Sequence, residues 1–298
     1  MVSDGMASAV LDALPDATAV LDRSGSIVAV NRTWRTFALD NGGRPDTTGV
    51  GVNYLDLCAR SADAGCNDAS VAAAGLRAVL AGEKAQSELE YPCPSPAANR
   101  WFLLRITPLA GTAAGAVTSH VNITRRKLAE QALAHEAAHD SLTGLANRDL
   151  FTGRLTTALT RPSERPGGGD VGVLYLDLDE FKQVNDRYGH EAGDEVLLTI
   201  AHRLRGQVRP QDTVARLGGD EFAVTAPRIT ADGLAGLATR ISRALAEPHT
   251  VHGQDVRVLA SVGAYLTSPG DAADHALRQA DQAMYAVKHA RAAQRTAL

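Results

Sequence analysis

Residues 216–222 read Arg-Leu-Gly-Gly-Asp-Glu-Phe, and residues 174–182 read Leu-Tyr-Leu-Asp-Leu-Asp-Glu-Phe-Lys. In the first stretch two glycines separate a pair of strand-like runs, Asp212 to Leu217 and Glu221 to Ala226. Gly218-Gly219 predicts a tight hairpin, because both central residues can take positive φ. Asp220 and Glu221 then stand just past the turn, where a metal or a nucleotide can approach bare backbone. In the second stretch an apolar strand over Val171 to Leu176 runs into acids and then into a helix from Phe181 to Tyr188. Asp177 and Asp179 are two apart, so they share a face if the strand continues through them. Acids at the end of a strand suit Mg²⁺, a hard cation that takes oxygen ligands. Each stretch alone has a plainer reading: acids on a solvated hairpin face, and a helix-capping Asp179 beside a solvated Asp177.

Outward from these two stretches, the C-terminal half alternates helix and strand candidates. Helices are predicted over Gly193 to Gln207, Ala231 to Leu245 and from Asp274 onward, with a strand near Val256 to Ala264. That order reads as an α/β sandwich. The N-terminal half reads differently. Ala17 to Leu21 and Ile27 to Val30 flank a turn at Asp22-Arg23-Ser24-Gly25, and Asn31 can cap a short helix through Phe37. An Ala-rich amphipathic stretch, Ala69 to Leu80, precedes three strand candidates: Ser87 to Tyr91, Trp101 to Ile106 and Ala116 to Ile123.

With 298 residues, the chain has room for two domains. A net charge of −4 gives no broad reason to expect nucleic acid or an anionic membrane as partner. No run approaches the roughly 18 apolar residues of a membrane span, and Asp12, Pro15 and Asp16 interrupt the most apolar N-terminal stretch, so a cytoplasmic protein is expected. Cys58, Cys66 and Cys93 form no CxxC pair and are odd in number, which fits free thiols.

Taken together, Asp140 to Arg148 (DSLTGLANR), Asp177 to Lys182, Asn185 to Asp194 (NDRYGHEAGD) and Gly218 to Phe222 stand in the order and spacing of the GGDEF family. Ser261-Val262-Gly263 and Ala280 to Tyr285 resemble its last strand and helix. The resemblance covers Asp140 to about Arg291. It implies a palm-like, nucleotidyl-cyclase-related domain that joins two GTP into cyclic di-GMP. It further implies Mg²⁺ (or Mn²⁺) on Asp177, Asp220 and the Leu178 carbonyl, with Glu221 assisting metal binding or taking the 3′-hydroxyl proton. Asn185 and Asp194 would read guanine. Phe181 and Lys182, at the start of the helix, would meet phosphate, as would Lys288 and Arg291 on the last helix. The family's last helix usually ends Lys-x-x-Gly-Arg, whereas this one reads Lys288-His289-Ala290-Arg291-Ala292, with Ala292 at the arginine position. Arg291 stands one residue early, about 100° around a helix. Arg209 and Asp212 match the family's RxxD site for inhibitory product, and Arg240 resembles its second arginine. One chain carries one such site, so the family's chemistry implies a homodimer. No GxxxxGK[ST] loop is present.

Leu11 to Trp34 and Val121 to Leu133 resemble the start and exit of a PAS domain, an antiparallel sheet with small helices. Asn122 replaces the usual aspartate at that exit. The boundaries read as a sensor over 1–123, a helical linker over 124–139 and the GGDEF domain over 140–298. Leu128, Ala132, His135, His139 and Leu142 are spaced 4-3-4-3 along the linker, a weak coiled-coil seam, so a solvated connector helix is an open alternative. The sensor's ligand is unknown. Tyr54 stands where a flavin-reactive cysteine would be, and Ala69 to Leu80 lacks the histidine a haem would need. His120 reads as a surface or interface residue. Two other functions stay open: a silent GGDEF module that binds nucleotide and signals through a partner, and a PAS-centred interaction protein.

Overall fold

The computed structural model describes residues 4–63, 65–94, 99–109, 115–160, 170–251 and 254–296. The chain divides into two compact units, Met1–Ala132 and Leu133–Leu298. The sequence reading put its linker across that division, over 124–139.

The first unit runs α1 (Asp4–Ala13), β1 (Ala17–Asp22), β2 (Ile27–Val30), α2 (Arg32–Asp40), α3 (Pro45–Thr48), α4 (Tyr54–Asp63), α5 (Asn67–Leu80), β3 (Ser87–Pro92), β4 (Trp101–Leu109) and β5 (Gly115–Asn122). The strands form an antiparallel sheet in the order β2-β1-β5-β4-β3. Its inner face carries Ala17, Ala19, Leu21, Leu104 and Ile106, and α5 buries its Ala69, Ala72, Ala73, Leu76 and Val79 in the same core. Asn31 caps α2 as its position suggested. Its Oδ1 accepts from Trp34 N at 2.8 Å and Thr18 N at 3.0 Å, and its Nδ2 donates to Asp16 O at 2.7 Å. A fully buried amide is thereby satisfied on both ends. The hairpin turn is held by Asp22, whose Oδ1 accepts from Ser24 N and Ser26 N at 2.8 and 2.9 Å. Helices α1, α3 and α4 were not read from the sequence.

His120 corrects the sequence reading. It lies half-buried among aromatic rings on the inner side of the sheet. Its Nδ1 is 2.6 Å from the Tyr91 hydroxyl and its Nε2 is 3.2 Å from that of Tyr54, while Trp34 meets it edge-on at 5.4 Å. Strict alternation along β5 would send His120 opposite its neighbours. It does so: His120 shares its face with the fully buried Ala116 and Thr118, and that face, not the one carrying Val117 and Ser119, is the inner one. Burial holds the imidazole neutral and depresses its pKa to about 4. A neutral ring has one N–H and one bare nitrogen, so one tyrosine accepts and the other donates.

Helix α6 (Thr124–Ala138) crosses the division and has no buried residue. Its Leu128 and Leu133 are exposed. Leu142, the last position of the seam, lies beyond the helix and packs on the core of the second unit. The seam therefore does not extend through it.

The second unit continues with α7 (Arg148–Thr160), β6 (Asp170–Leu178), α8 (Phe181–Tyr188), α9 (His190–Gln207), β7 (Thr213–Gly218), β8 (Glu221–Ile229), α10 (Ala231–Leu245), β9 (His249–Val251), β10 (Gln254–Val256), β11 (Ala260–Leu266) and α11 (Ala273–Thr296). The main sheet has the order β11-β6-β8-β7, antiparallel throughout. Side chains alternate along β6. Leu174, Leu176 and Leu178 join a core with α8, α9 and α10, and Val171, Val173 and Tyr175 join one with Phe151 and Leu155 of α7 and Ala276, Ala280 and Met284 of α11. The strand expected over Val256 to Ala264 is two pieces, β10 and β11. Among the described residues no helix is long and apolar enough to cross a membrane.

The His120 contacts set a pH dependence. Unfolded, the imidazole binds a proton near 6.5, and folded only near 4. Its contribution to stability is thus whole above the unfolded pKa and is lost as pH falls from there to about 4. Both tryptophans, Trp34 and Trp101, lie in the first unit, so their fluorescence follows its denaturation. The wild type should lose more stability over that window than His120→Gln, which keeps a donor and an acceptor but does not titrate. Parallel pH profiles would show that His120 is not the group responsible.

Candidate functional site

Pairing of β6 with β8 sets Asp177 directly opposite Glu221. One residue on, Leu178 N donates to Asp220 O at 3.3 Å. The two acidic stretches are thereby brought to one end of the sheet. The hairpin between β7 and β8 turns at Gly218 (φ 150) and Gly219 (φ 50), as the glycine pair predicted. Arg216 braces it, with Nε donating to Gly219 O at 2.9 Å and NH1 lying 3.2 Å from both carboxylate oxygens of Asp140. Asp140 also accepts from Thr143 N and Oγ1 at 2.8 and 2.6 Å. Burial works to raise its pKa, but these donors outweigh it and hold it below the usual carboxylate range.

Asp177 is buried, and its neighbours compete. Burial raises its pKa, Lys288 lowers it, and Asp220 and Asp179 raise it again, leaving it elevated. Lys288 Nζ lies 2.6 Å from Asp177 Oδ1. Burial works against the ammonium's charge, yet the contact with Asp177 and the nearby acids keep its pKa above normal. A cation is thus already seated where the acids converge. Among the described residues no three His, Cys, Asp or Glu side chains form a ready metal cluster. Two carboxylates and the Leu178 carbonyl nevertheless fit Mg²⁺, which keeps several waters and takes other ligands from substrate phosphates.

Glu221 has neighbours the sequence reading missed. Arg148 NH2 is 3.6 Å from its Oε2, and the Tyr175 hydroxyl feels both groups. Burial and the adjacent Glu221 push Tyr175 up to about 12. Arg148 closes the DSLTGLANR motif, which was the available signal. Asp179 is likewise occupied: it accepts from Ser261 Oγ at 2.7 Å and from Arg291 NH1 at 3.1 Å. Ser261 lies in the Ser-Val-Gly motif already noted.

Asn185 and Asp194 sit on adjoining helices, Asn185 half-buried and Asp194 exposed. Between them Gly193 permits a close approach: a Cβ there would stand 1.9 Å from Asn185 Oδ1 and 3.2 Å from Phe181 Cζ. Lys182 is exposed at the start of α8. Away from this end, Asp212 Oδ2 accepts from Arg209 N at 2.8 Å, and Arg240 NH2 donates to Gln207 O at 3.1 Å, two residues before Arg209.

With this geometry in view, residues 137–294 match the family model for the diguanylate cyclase GGDEF domain, and residues 11–128 match that of a PAS fold. The diguanylate cyclase TpbB of Pseudomonas aeruginosa is 45% identical over 159 residues, covering 52% of this chain and 36% of that protein. The response regulator PleD of Caulobacter vibrioides is 39% identical over 156 residues, 51% of this chain and 34% of its own length. The chain thus spans about a third of the length of these relatives. Among solved structures, the coiled coil and GGDEF domain of DgcB from Caulobacter crescentus, in complex with c-di-GMP, is similar at a TM-score of 0.52 and 29% identity. That similarity covers 56% of this chain and 89% of DgcB's.

The Gly193 contact yields a prediction. Gly193→Ala must push Asn185 aside or part α8 from α9, and such overpacking costs about 1–3 kcal/mol. The melting temperature of the second unit should fall, and the side-chain amide resonances of Asn185 should shift. An unchanged Asn185 signal would mean that the glycine does not position it.

Proposed function

The chain belongs to the GGDEF family, and from that premise we propose that it condenses two GTP into cyclic di-GMP, releasing pyrophosphate. The observation that carries the reading is the β6–β8 register: it sets Asp177 against Glu221 and draws Asp220 to Leu178, beside the ammonium of Lys288.

Asp177, Asp220 and the Leu178 carbonyl would hold the metal, Mg²⁺ or Mn²⁺. When bound, it supplies charge neutralisation for the triphosphate and a lower pKa for the attacking hydroxyl. The other roles belong to the chain. Glu221, beside Arg148 and Tyr175, takes the proton of the 3′-hydroxyl as the new 3′-O–P bond forms and the bond between the α- and β-phosphates breaks. Lys288 shifts from Asp177 toward the phosphates, which Lys182 and the first amides of α8, at Phe181, also meet, since a helix's first N–H groups have no internal partner. Asp194 accepts from the ring N–H and the exocyclic amine of guanine, while Asn185, fixed against Gly193, bonds the same base edge.

Each domain holds one GTP, and each 3′-hydroxyl attacks the other's α-phosphate. Two copies must therefore face one another, and their positioning is what the PAS unit can regulate. Arg209, Asp212 and Arg240 form the site where product would bind and inhibit. The lack of a membrane-length helix among the described residues accords with action in the cytoplasm.

Purified protein given GTP and Mg²⁺ should yield cyclic di-GMP on chromatography. Glu221→Gln should melt within a few degrees of the wild type and yield none, whereas normal product from that variant would remove Glu221 from the chemistry. Arg209→Ala should keep progress curves linear to higher cyclic di-GMP. Equal product affinity of variant and wild type in calorimetry would place the inhibitory site elsewhere.

A further inference from the structure

Arg291 was expected at the triphosphate, but its contacts lie elsewhere. Its NH1 donates to Ala260 O at 2.7 Å and to Asp179 Oδ2 at 3.1 Å. Asp179 is a buried anion with a side chain 7% exposed. Its other oxygen accepts from Ser261 Oγ at 2.7 Å, and its own N–H donates to Leu259 O at 2.8 Å. Asp179 is thus tied to the start of β11 and to α11, and each of its carboxylate oxygens already has a donor. Lys288 sits three residues earlier on α11, on the same face, and bonds Asp177 in the same way. Two cations one turn apart therefore meet two acids two residues apart. They differ in how they are held: Lys288 reaches Oδ1 of Asp177, whereas Arg291 and Ser261 between them engage both oxygens of Asp179.

The next residue shows what the Asp179 anchor secures. Glu180 has φ 59 and ψ 24, a left-handed conformation that a residue with a Cβ rarely adopts. Such backbone persists where its surroundings over-determine it. The anchored Asp179 immediately precedes it, and Phe181, buried in the core, immediately follows. The turn over 178–181 carries the Leu178 carbonyl on one side and the first amides of α8 on the other.

We propose that Arg291 is a positioning residue: together with Ser261 it clamps Asp179, and so fixes the turn that aims the Leu178 carbonyl at the metal and the α8 amides at phosphate. It makes no contact with the triphosphate itself. What the turn holds rests on the proposed function; the clamp rests on the hydrogen bonds alone.

The test is a double-variant cycle in the full chain with Arg291→Ala, Asp179→Asn and the pair, alongside Arg291→Lys. Calorimetry measures the affinity for Mn²⁺·GTP at a temperature where every variant is folded, and melting is recorded separately. Each single variant should bind about 10- to 100-fold more weakly, the range seen when a residue that orients ligand groups is lost. The pair should bind no more weakly than the worse single variant, because the two residues act as one unit. Arg291→Lys should recover part of the loss, since one ammonium can reach Asp179. Additive losses, or an Asp179→Asn variant that binds like the wild type, would return Arg291 to the triphosphate and overturn the clamp. Lower melting with unchanged affinity would also overturn it, leaving only a structural tie. Should Arg291→Ala not fold, Arg291→Lys with Asp179→Asn closes the same cycle. A wild type that binds Mn²⁺·GTP but forms no cyclic di-GMP would refute the proposed activity while the cycle still decides the clamp.

Discussion

The second unit depends on the register between β6 and β8. A strand shows alternate residues to opposite faces, so a slip of one position would exchange every side chain of β6 between its two cores. Leu174, Leu176 and Leu178 would leave the α8–α10 side, and Tyr175 and Asp177 would enter it. The apolar pattern of the strand therefore fixes the place of its acid. Arg216 fixes the other half by holding the hairpin's Gly219 carbonyl and Asp140 at once. Packing and polar bonding agree on one arrangement, and that agreement lets the buried Asp177 and the half-buried Asp220 be held near each other.

Much of this was legible in the sequence because it rests on local chemistry. The glycine pair needed positive φ and took it. Asn31 had the side chain of an N-cap and the position of one. Domain identity and the meeting of the two acidic stretches followed from motifs whose spacing is hard to reach otherwise. What stayed hidden required knowledge of partners across the fold. Nothing around His120 announces that Tyr54 and Tyr91, 66 and 29 residues away, close on its two nitrogens. Alternation assigned it a face, and the neighbours on that face decided the rest.

Arg291 illustrates the same limit within the site. Its place in a motif pointed to substrate, and its geometry points to Asp179 and the Ala260 carbonyl. A long side chain near the end of a helix can reach several targets, and angular offset alone does not choose among them. Arg148 and Ser261 are the complementary case: both lay inside quoted motifs, but their partners, Glu221 and Asp179, lie far off in sequence. Spacing shows which residues matter more readily than it shows what each one touches.

The contact between Lys288 and Asp177 bears on how such a site comes into being. Acids gathered for a metal repel one another while the chain is being made and has met neither ion nor nucleotide. Here an ammonium from α11, 111 residues downstream, supplies the opposite charge from within the chain. The acidic end of the sheet carries its own counter-ion, and the domain can close before it is loaded. Because that counter-ion lies on α11, synthesis must run 111 residues past Asp177 before the charge is balanced. A nascent chain cut short of α11 would keep its acids but lose the group that reconciles them, and quality control would meet it as a sheet with an unneutralised edge.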